Sequence, residues 1–277
     1  GDGTFSNTNS FTPTYTPGPN DVGNTVVLTL QLEGCKGLIG GDFLWLDVHP
    51  DPSAEISGSV LICEGASTPV TIDFTGTPPW SVTYTNGIEA PVTVNNINTT
   101  PYTFSVTPPV TATWWITSAN DAYCSVPSDS IFGLASVSVN ARPIPFTVEG
   151  SNEGNYCEGE AGVIISLNNS QLGMNYELLQ NGLSTGINVT GTGSAIEFGQ
   201  FTTPAQYSVL GTNPLGNCTR MMNDTLVVIM HPTPVTDFIT NDPCSGDTTH
   251  FTLTGGYISQ TSNWLWDFGD GTFATFN

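Results

Sequence analysis

Cys63-Glu64-Gly65, with Cys124 sixty-one positions further on, returns as Cys157-Glu158-Gly159, with Cys218 again sixty-one positions further on. A third copy of the opening, Cys244-Ser245-Gly246, stands near the end of the 277 residues. Self-similarity at a fixed period is the signature of a repeat architecture. A second marker keeps step with the first. His49-Pro50-Asp51-Pro52, Arg142-Pro143-Ile144-Pro145 and His231-Pro232-Thr233-Pro234 each read cation, Pro, any residue, Pro, at separations of 93 (49 to 142) and 89 (142 to 231). One module is therefore about 90 residues, within the usual size of a domain. The chain divides into the back part of one module (1–50), two complete modules (51–143 and 144–232) and the front part of a fourth (233–277).

The equal spacing predicts disulfides Cys63 to Cys124 and Cys157 to Cys218, each stabilising its module by about 4 kcal/mol through loop closure. Cys35 lies 15 residues before Pro50 as Cys218 lies 14 before Pro232, so it reads as a second-position cysteine with its partner outside these residues. Cys244 reads as a first-position cysteine, also paired outside. Six cysteines at repeated spacing imply an oxidising compartment. No Cys-x-x-Cys occurs, which disfavours a zinc–thiolate site.

Between the markers the pattern is that of short strands. Thr25 to Leu32 is β-branched and aliphatic, Trp80, Val82 and Tyr84 alternate ahead of Asn86-Gly87, and Tyr176 and Leu178 precede Asn181-Gly182. Asn-Gly is the strongest short-range hairpin signal, because both residues accept positive φ. Asp270-Gly271 holds the same place after Cys244. Relative to the turn, Tyr176 and Leu178 are one position out of phase with Val82 and Tyr84, leaving the register open. Further strands are predicted at 102–106, 111–117, 131–139, 206–210 and 226–230. About seven strands per module without a helix argue for an all-β, immunoglobulin-like Greek-key sandwich. The Pro-x-Pro linkers fix φ at two nearby positions, so the connections are short and semi-rigid. A row of such modules is expected to hold its tip away from a surface.

Composition narrows the partners. Three basic residues face twenty-four acidic ones, a net charge of -21. Such a field repels nucleic-acid phosphates and anionic lipid headgroups. Neighbouring modules, an extracellular surface or polysaccharide, and the secretion or outer-membrane machinery remain as partners. No apolar run reaches the roughly 18 residues of a membrane-spanning helix, and no signal peptide opens the chain, so any leader or anchor is expected outside it.

Trp264-Leu265-Trp266-Asp267-Phe268-Gly269-Asp270-Gly271-Thr272 resembles the Trp-x-Phe-Gly-Asp-Gly signature of the polycystic-kidney-disease (PKD) domain, itself an immunoglobulin-like sandwich. Gly3-Thr4-Phe5-Ser6, Thr14-Tyr15-Thr16-Pro17, the Cys-Glu-Gly openings and the Pro-rich linkers look like the repeats of giant Bacteroidota surface proteins, among them the gliding-motility adhesins exported by type IX secretion. That resemblance implies an extracellular, surface-attached adhesin for gliding or biofilm attachment. Other readings of the same modules are the accessory region of a secreted polysaccharide hydrolase or peptidase, and a self-assembling filament subunit. The resemblance also implies O-glycosylation at Ser130, Thr225 and Thr248, in Asp-Ser-Ile, Asp-Thr-Leu and Asp-Thr-Thr, where Asp-Ser/Thr is equally ordinary loop chemistry.

Catalytic patterns are missing: no nucleophile–base pair repeats and no phosphate-cradling glycine loop occurs, so no enzyme and no cofactor is expected. His49 and His231 share a linker position with Arg142, which suggests a cation beside acidic neighbours, and His250 stands alone on a presumed strand. Asp267 and Asp270 offer carboxylates for calcium, although Asp270-Gly271 reads equally as a turn. Of the adjacent Trp114 and Trp115, alternation turns one inward and one outward; the outward ring either packs on a neighbour or stacks on a sugar.

Overall fold

The computed structural model describes all residues except Asn9, Cys35, Lys36, Leu38, Asp242, 257–263, Phe268 and Asn277, and it forms two compact units, Gly1–Asn140 and Ala141–Asn277. No α-helix occurs among the described residues.

The first unit opens with β1 (Thr4–Phe5) and β2 (Tyr15–Thr16), which pair with each other. The hairpin of β3 (Thr25–Glu33) and β4 (Ile39–Asp47) follows, paired along its whole length from Thr25↔Asp47 to Glu33↔Ile39. A complete sandwich comes next: β5 (Ala54–Ser57), β6 (Val60–Cys63), β7 (Thr68–Phe74), β8 (Trp80–Thr85), β9 (Val92–Ile97), β10 (Tyr102–Val106), β11 (Ala112–Asn120), β12 (Ile131–Phe132) and β13 (Ala135–Asn140). One sheet runs β10-β7-β5-β12 and the other β6-β13-β11-β8-β9.

The second unit builds the same plan from β14 (Val148–Gly150), β15 (Asn155–Cys157), β16 (Val163–Leu167), β17 (Asn175–Gln180), β18 (Leu183–Thr190), β19 (Ile196–Phe201), β20 (Ala205–Asn213), β21 (Cys218–Met221) and β22 (Leu226–His231). Its sheets are β14-β16-β19 and β15-β22-β20-β17-β18, with β21 on β20. Two hairpins close the chain, β23 (Phe238–Thr240) on β24 (Phe251–Leu253) and β25 (Trp264–Asp267) on β26 (Phe273–Phe276).

Nine strands stand where about seven are predicted because the first strand of each module is split between sheets. In the first sandwich the predicted 131–139 strand also breaks, at Gly133, where φ is +81° and a Cβ would lie 2.1 Å from the Ile56 carbonyl oxygen. β12 then pairs with β5 and β13 with β6, both in parallel.

Period-2 alternation decides what is buried. Val70, Ile72 and Phe74 face Trp80, Val82, Tyr84, Trp114 and Ile116 across the first core, and Val163, Ile165, Leu167, Tyr176, Leu178, Phe198, Tyr207 and Val209 fill the second. Polar ends of the buried aromatics are satisfied: Trp80 Nε1 donates to the Thr75 carbonyl at 3.0 Å, and Tyr207 Oη to that of Thr203 at 3.2 Å.

The phase offset in the sequence is real, and its cause is the turn. Val82 and Tyr84 stand 19 and 21 positions after Cys63, as Tyr176 and Leu178 stand after Cys157, and all four are buried. Counted from the cysteines the inward positions match; Asn-Gly has slipped by one. Asn181 and Gly182 take φ of +50° and +78° and join β17 to β18 as a two-residue turn. Asn86-Gly87 instead begins a longer connection, in which Asn86 Oδ1 accepts from the amides of Ile88 and Glu89. The Asp270-Gly271 connection is likewise longer than two residues.

Truncating one core should leave the other intact. Ile72→Ala and Leu178→Ala are each expected to cost about 2–5 kcal/mol. In scanning calorimetry each should lower the transition of its own sandwich only; a shift of every transition by either variant would contradict two independent cores.

Candidate functional site

The chemistry-bearing residues gather at the ends of the sandwiches. Cys63 closes β6 and pairs with Asn140, and the Glu64 amide donates to the Asn140 carbonyl at 2.9 Å. Cys157 closes β15 and pairs with His231, and the Glu158 amide donates to the His231 carbonyl at 2.8 Å. Each cysteine then starts a four-residue turn: the Ala66 amide returns to the Cys63 carbonyl (2.9 Å), that of Glu160 to Cys157 (3.0 Å) and that of Asp247 to Cys244 (3.0 Å). The third residues, Gly65, Gly159 and Gly246, have φ of +76°, +88° and +92°, a region that excludes most side chains. In these three copies the Cys-x-Gly motif is a turn signature.

The second-position cysteines lie at the opposite ends. Asn140 is three residues past Val137, which faces Ala112 at the start of β11, whereas Cys124 lies four residues past Asn120, where β11 finishes. Likewise His231 is three residues past Val228, which faces Ala205 at the start of β20, whereas Cys218 pairs with Asn213 at its end. Nine residues of strand at about 3.3 Å each put roughly 30 Å between the two cysteines of a module, and a disulfide requires Cα atoms within about 7 Å. The predicted pairs Cys63 to Cys124 and Cys157 to Cys218 therefore do not form. Cys63 and Cys218 are disulfide-bonded, and Cys124, Cys157 and Cys244 carry free thiols. The equal spacing marks equivalent positions in two copies of a fold, not the ends of a cross-link. Cys35 lies outside the described residues.

Asp121 organises the Cys124 end and was not singled out in the sequence. Its carboxylate accepts from the amides of Tyr123 (2.8 Å), Cys124 (2.6 Å) and Thr77 (2.9 Å). Burial pushes its pKa up, but these amides and the charge of His49 outweigh that and hold it below the ordinary value. The signal available was Asp121-Ala122-Tyr123-Cys124, an Asp followed by short-range amides that its side chain can collect. Burial, with Asp121 and Asp51 nearby, raises the Cys124 pKa and keeps it a thiol. Asp21 plays a similar part near the amino end: it accepts from Tyr15 Oη (2.6 Å) and from the amides of Asp2, Gly3 and Gly18, and the bonds from Tyr15, foremost, Gly18 and Asp2 hold its pKa down against burial.

Two linker residues, His49 and Arg142, dock beside the second-position cysteines. His49 stacks on Tyr123 with ring centroids 3.7 Å apart, and Arg142 donates to the Thr219 carbonyl at 2.9 Å. His231 is different, since its Nε2 meets Asn155 Oδ1 at 2.9 Å. His250 falls just ahead of β24 and not on it. Trp114 is buried, while Trp115 is 37% exposed and its ring covers Gly87, where a Cβ would meet it at 2.9 Å. Asp267 Oδ1 accepts from the Gly269 amide, and Asp270 Oδ1 from the amide and hydroxyl of Thr272, so each caps a turn. Among the described residues no group of three or more His, Cys, Asp or Glu is placed to hold a metal ion. Ser130 ends a 3-10 turn (Ser128–Ser130) and is half-buried; Thr225 and Thr248 are exposed, and Thr225 accepts from Gln206 Nε2 at 2.9 Å.

No protein-family model and no curated protein matches the chain. Among solved structures it is similar to the fibronectin(III)-like modules of Clostridium thermocellum CbhA (14% identity, TM-score 0.30, covering 64% of this chain and 94% of that one). It is also similar to the titin I-band fragment I67–I69 (10%, 0.34, 78% of each) and to a complex of Dpr2 Ig1–Ig2 with DIP-Theta Ig1–Ig3 (12%, 0.26, 75% and 73%).

Asp121→Ala should speed hydrogen exchange at Thr77, Tyr123 and Cys124. Because the folded pKa of Asp121 is lowered, its stabilisation is present above the ordinary carboxylate pKa and fades as pH falls through the folded value. Acidification across that window should therefore loosen this loop in the parent protein and change Asp121→Ala little. Equal acid sensitivity of the two would show that Asp121 is not the group responsible.

Proposed function

We propose that this chain is the non-catalytic display region of a secreted bacterial cell-surface adhesin. The observation that carries it is the recurrence of one sandwich topology in tandem, with a short Pro-containing connection at each junction. Splitting of the first strand, parallel closure by the last and the Cys-x-Gly turn all repeat, while among the described residues no constellation of catalytic groups repeats with them. A repeated frame with no repeated chemistry suits spacing and presentation. The net charge of -21 keeps such a region apart from nucleic acid and anionic membrane, and disulfide-bonded Cys63 and Cys218 suit an oxidising exterior. Type IX export and a part in gliding or biofilm attachment are the finer form of this reading, supported by the resemblance of the modules to Bacteroidota surface repeats.

Antibody against residues 51–232 should label intact cells of the source organism, and external protease should remove the signal. Labelling only after lysis would reject surface display. On protein isolated from those cells, glycopeptide mapping should place hexose-containing additions on Thr225 and Thr248, which are exposed, and on Ser130; unmodified peptides at all three would reject the glycan.

A further inference from the structure

We propose that the outer face of the five-stranded sheet β6-β13-β11-β8-β9 binds uncharged polysaccharide, with the Trp115 ring as its stacking platform. The inference rests on the adhesin reading above and supplies the class of ligand that such a chain would hold. No residue of these five strands carries a charge, although the whole chain has a net charge of -21. The other sheet of the same sandwich is unlike it, since Glu55 and Asp73 stand opposite each other there and both are exposed. Alternation leaves small polar side chains on the outward positions of the uncharged sheet. Thr113 Oγ1 meets Ser136 Oγ at 3.0 Å, and Thr83 Oγ1 meets Thr93 Oγ1 at 2.9 Å. Thr117 Oγ1 donates to the Thr83 carbonyl at 3.1 Å, and Asn120 Nδ2 to Ser81 Oγ at 3.3 Å. A hydroxyl offers one donor and two acceptor lone pairs, so these contacts leave capacity for the hydroxyls of a sugar.

Trp115 lies among these groups. Its neighbour Trp114 is buried, so Trp115 points outward, and Thr85 stands opposite it on β8. Thr85 shares the outward direction and is nevertheless buried, and a Cβ on Gly87 would meet the ring at 2.9 Å. The ring therefore lies along the sheet over Thr85 and Gly87, with its other side toward solvent. A flat apolar ring set among hydroxyls and amides matches a pyranose, which offers an apolar C–H face and a rim of hydroxyls. Charge selects the uncharged members of that class, because a sugar carboxylate or sulfate would meet the acidic field of the chain with no Lys or Arg on this sheet to receive it.

The second sandwich has the same frame without the same face. Tyr176 and Leu178 answer to Val82 and Tyr84 by their distance from the cysteine, so Glu177 answers to Thr83 and Leu179 to Thr85. Leu179 stands opposite Ser208 as Thr85 stands opposite Trp115. An acid and a serine thus occupy the places of the hydroxyl and the ring, and the binding face belongs to the first sandwich alone. Trp45 on the β3–β4 hairpin is more exposed than Trp115, but it shares its side of the strand with Asp47.

The test is affinity electrophoresis of the whole chain through gels holding laminarin, dextran, mannan or hydroxyethylcellulose, with polygalacturonate as the charged control. At least one uncharged polymer should slow the chain, and polygalacturonate should not. Trp115→Ser should raise the dissociation constant for the retarding polymer about tenfold, while Trp115→Phe should keep most of the affinity. Hydroxyl-radical footprinting of the unsubstituted chain, with and without that polymer, should protect Trp115 and leave Trp45 unchanged, a readout independent of how well any variant folds. Free passage through every uncharged gel, equal retardation by polygalacturonate, undiminished retardation of Trp115→Ser, or protection of Trp45 in place of Trp115 would each overturn the proposal. The adhesin reading fails by a different result, the absence of label on intact cells, so the two failures are distinguishable.

Discussion

Each sandwich is closed by a first strand that belongs to both sheets. β5 pairs antiparallel with β7 in one sheet; after two residues the chain reappears as β6, parallel to β13 in the other. β14 and β15 repeat the crossing around β16 and β22. Such a switch turns the backbone sharply while the core stays filled, and it needs positive φ. Gly58 supplies it at +126° under the Pro69 carbonyl, and in the second module Asn152, Glu153 and Gly154 supply it at +50°, +53° and +87°. Gly154 has no room for a side chain, since a Cβ would sit 2.2 Å from the Val227 carbonyl oxygen. Without the crossing the last strand would lose its parallel partner and that edge would be open.

The ends of the modules follow from this closure. Because the second half of the first strand runs parallel to the last strand, the residue that finishes it lies where the chain leaves the sandwich. That residue is Cys63 in one module and Cys157 in the other. The turn after the strand before last lies at the far end, and there Cys124 and Cys218 are held, one by Asp121 and one by the β20–β21 ladder. The Pro-containing connections lie at the same two ends.

The flanking segments show what a single hairpin lacks. β3 and β4 pair along nine positions, yet Val27, Leu30, Leu32, Phe43, Leu44 and Trp45 are exposed, where the corresponding strand β11 buries Trp114 and Ile116. Pairing satisfies the backbone; burial needs a second sheet. In the last segment Phe238, Phe251 and Trp266 form a small aromatic cluster, with centroids 5.2 to 6.0 Å apart.

Strand content, the inward residues and the turn positions were legible in the sequence, because alternation and Gly at positive φ are local constraints that each residue obeys by itself. Val82, Tyr84, Tyr176 and Leu178 keep their distance from the cysteines, since a one-residue slip would turn every side chain to the other face. The Cys-x-Gly motif was visible, but its meaning was not: a turn has the same sequence whether its cysteine points toward its own module's second cysteine or away from it. Which cysteines meet depends on strand direction and on the length of β11 and β20, and these exist only once two sheets are stacked. The Asp121 loop escaped for the same reason, because Thr77 and His49 come to it from distant parts of the chain. Local chemistry is written residue by residue, whereas proximity between residues sixty positions apart is decided by the path of the strands between them.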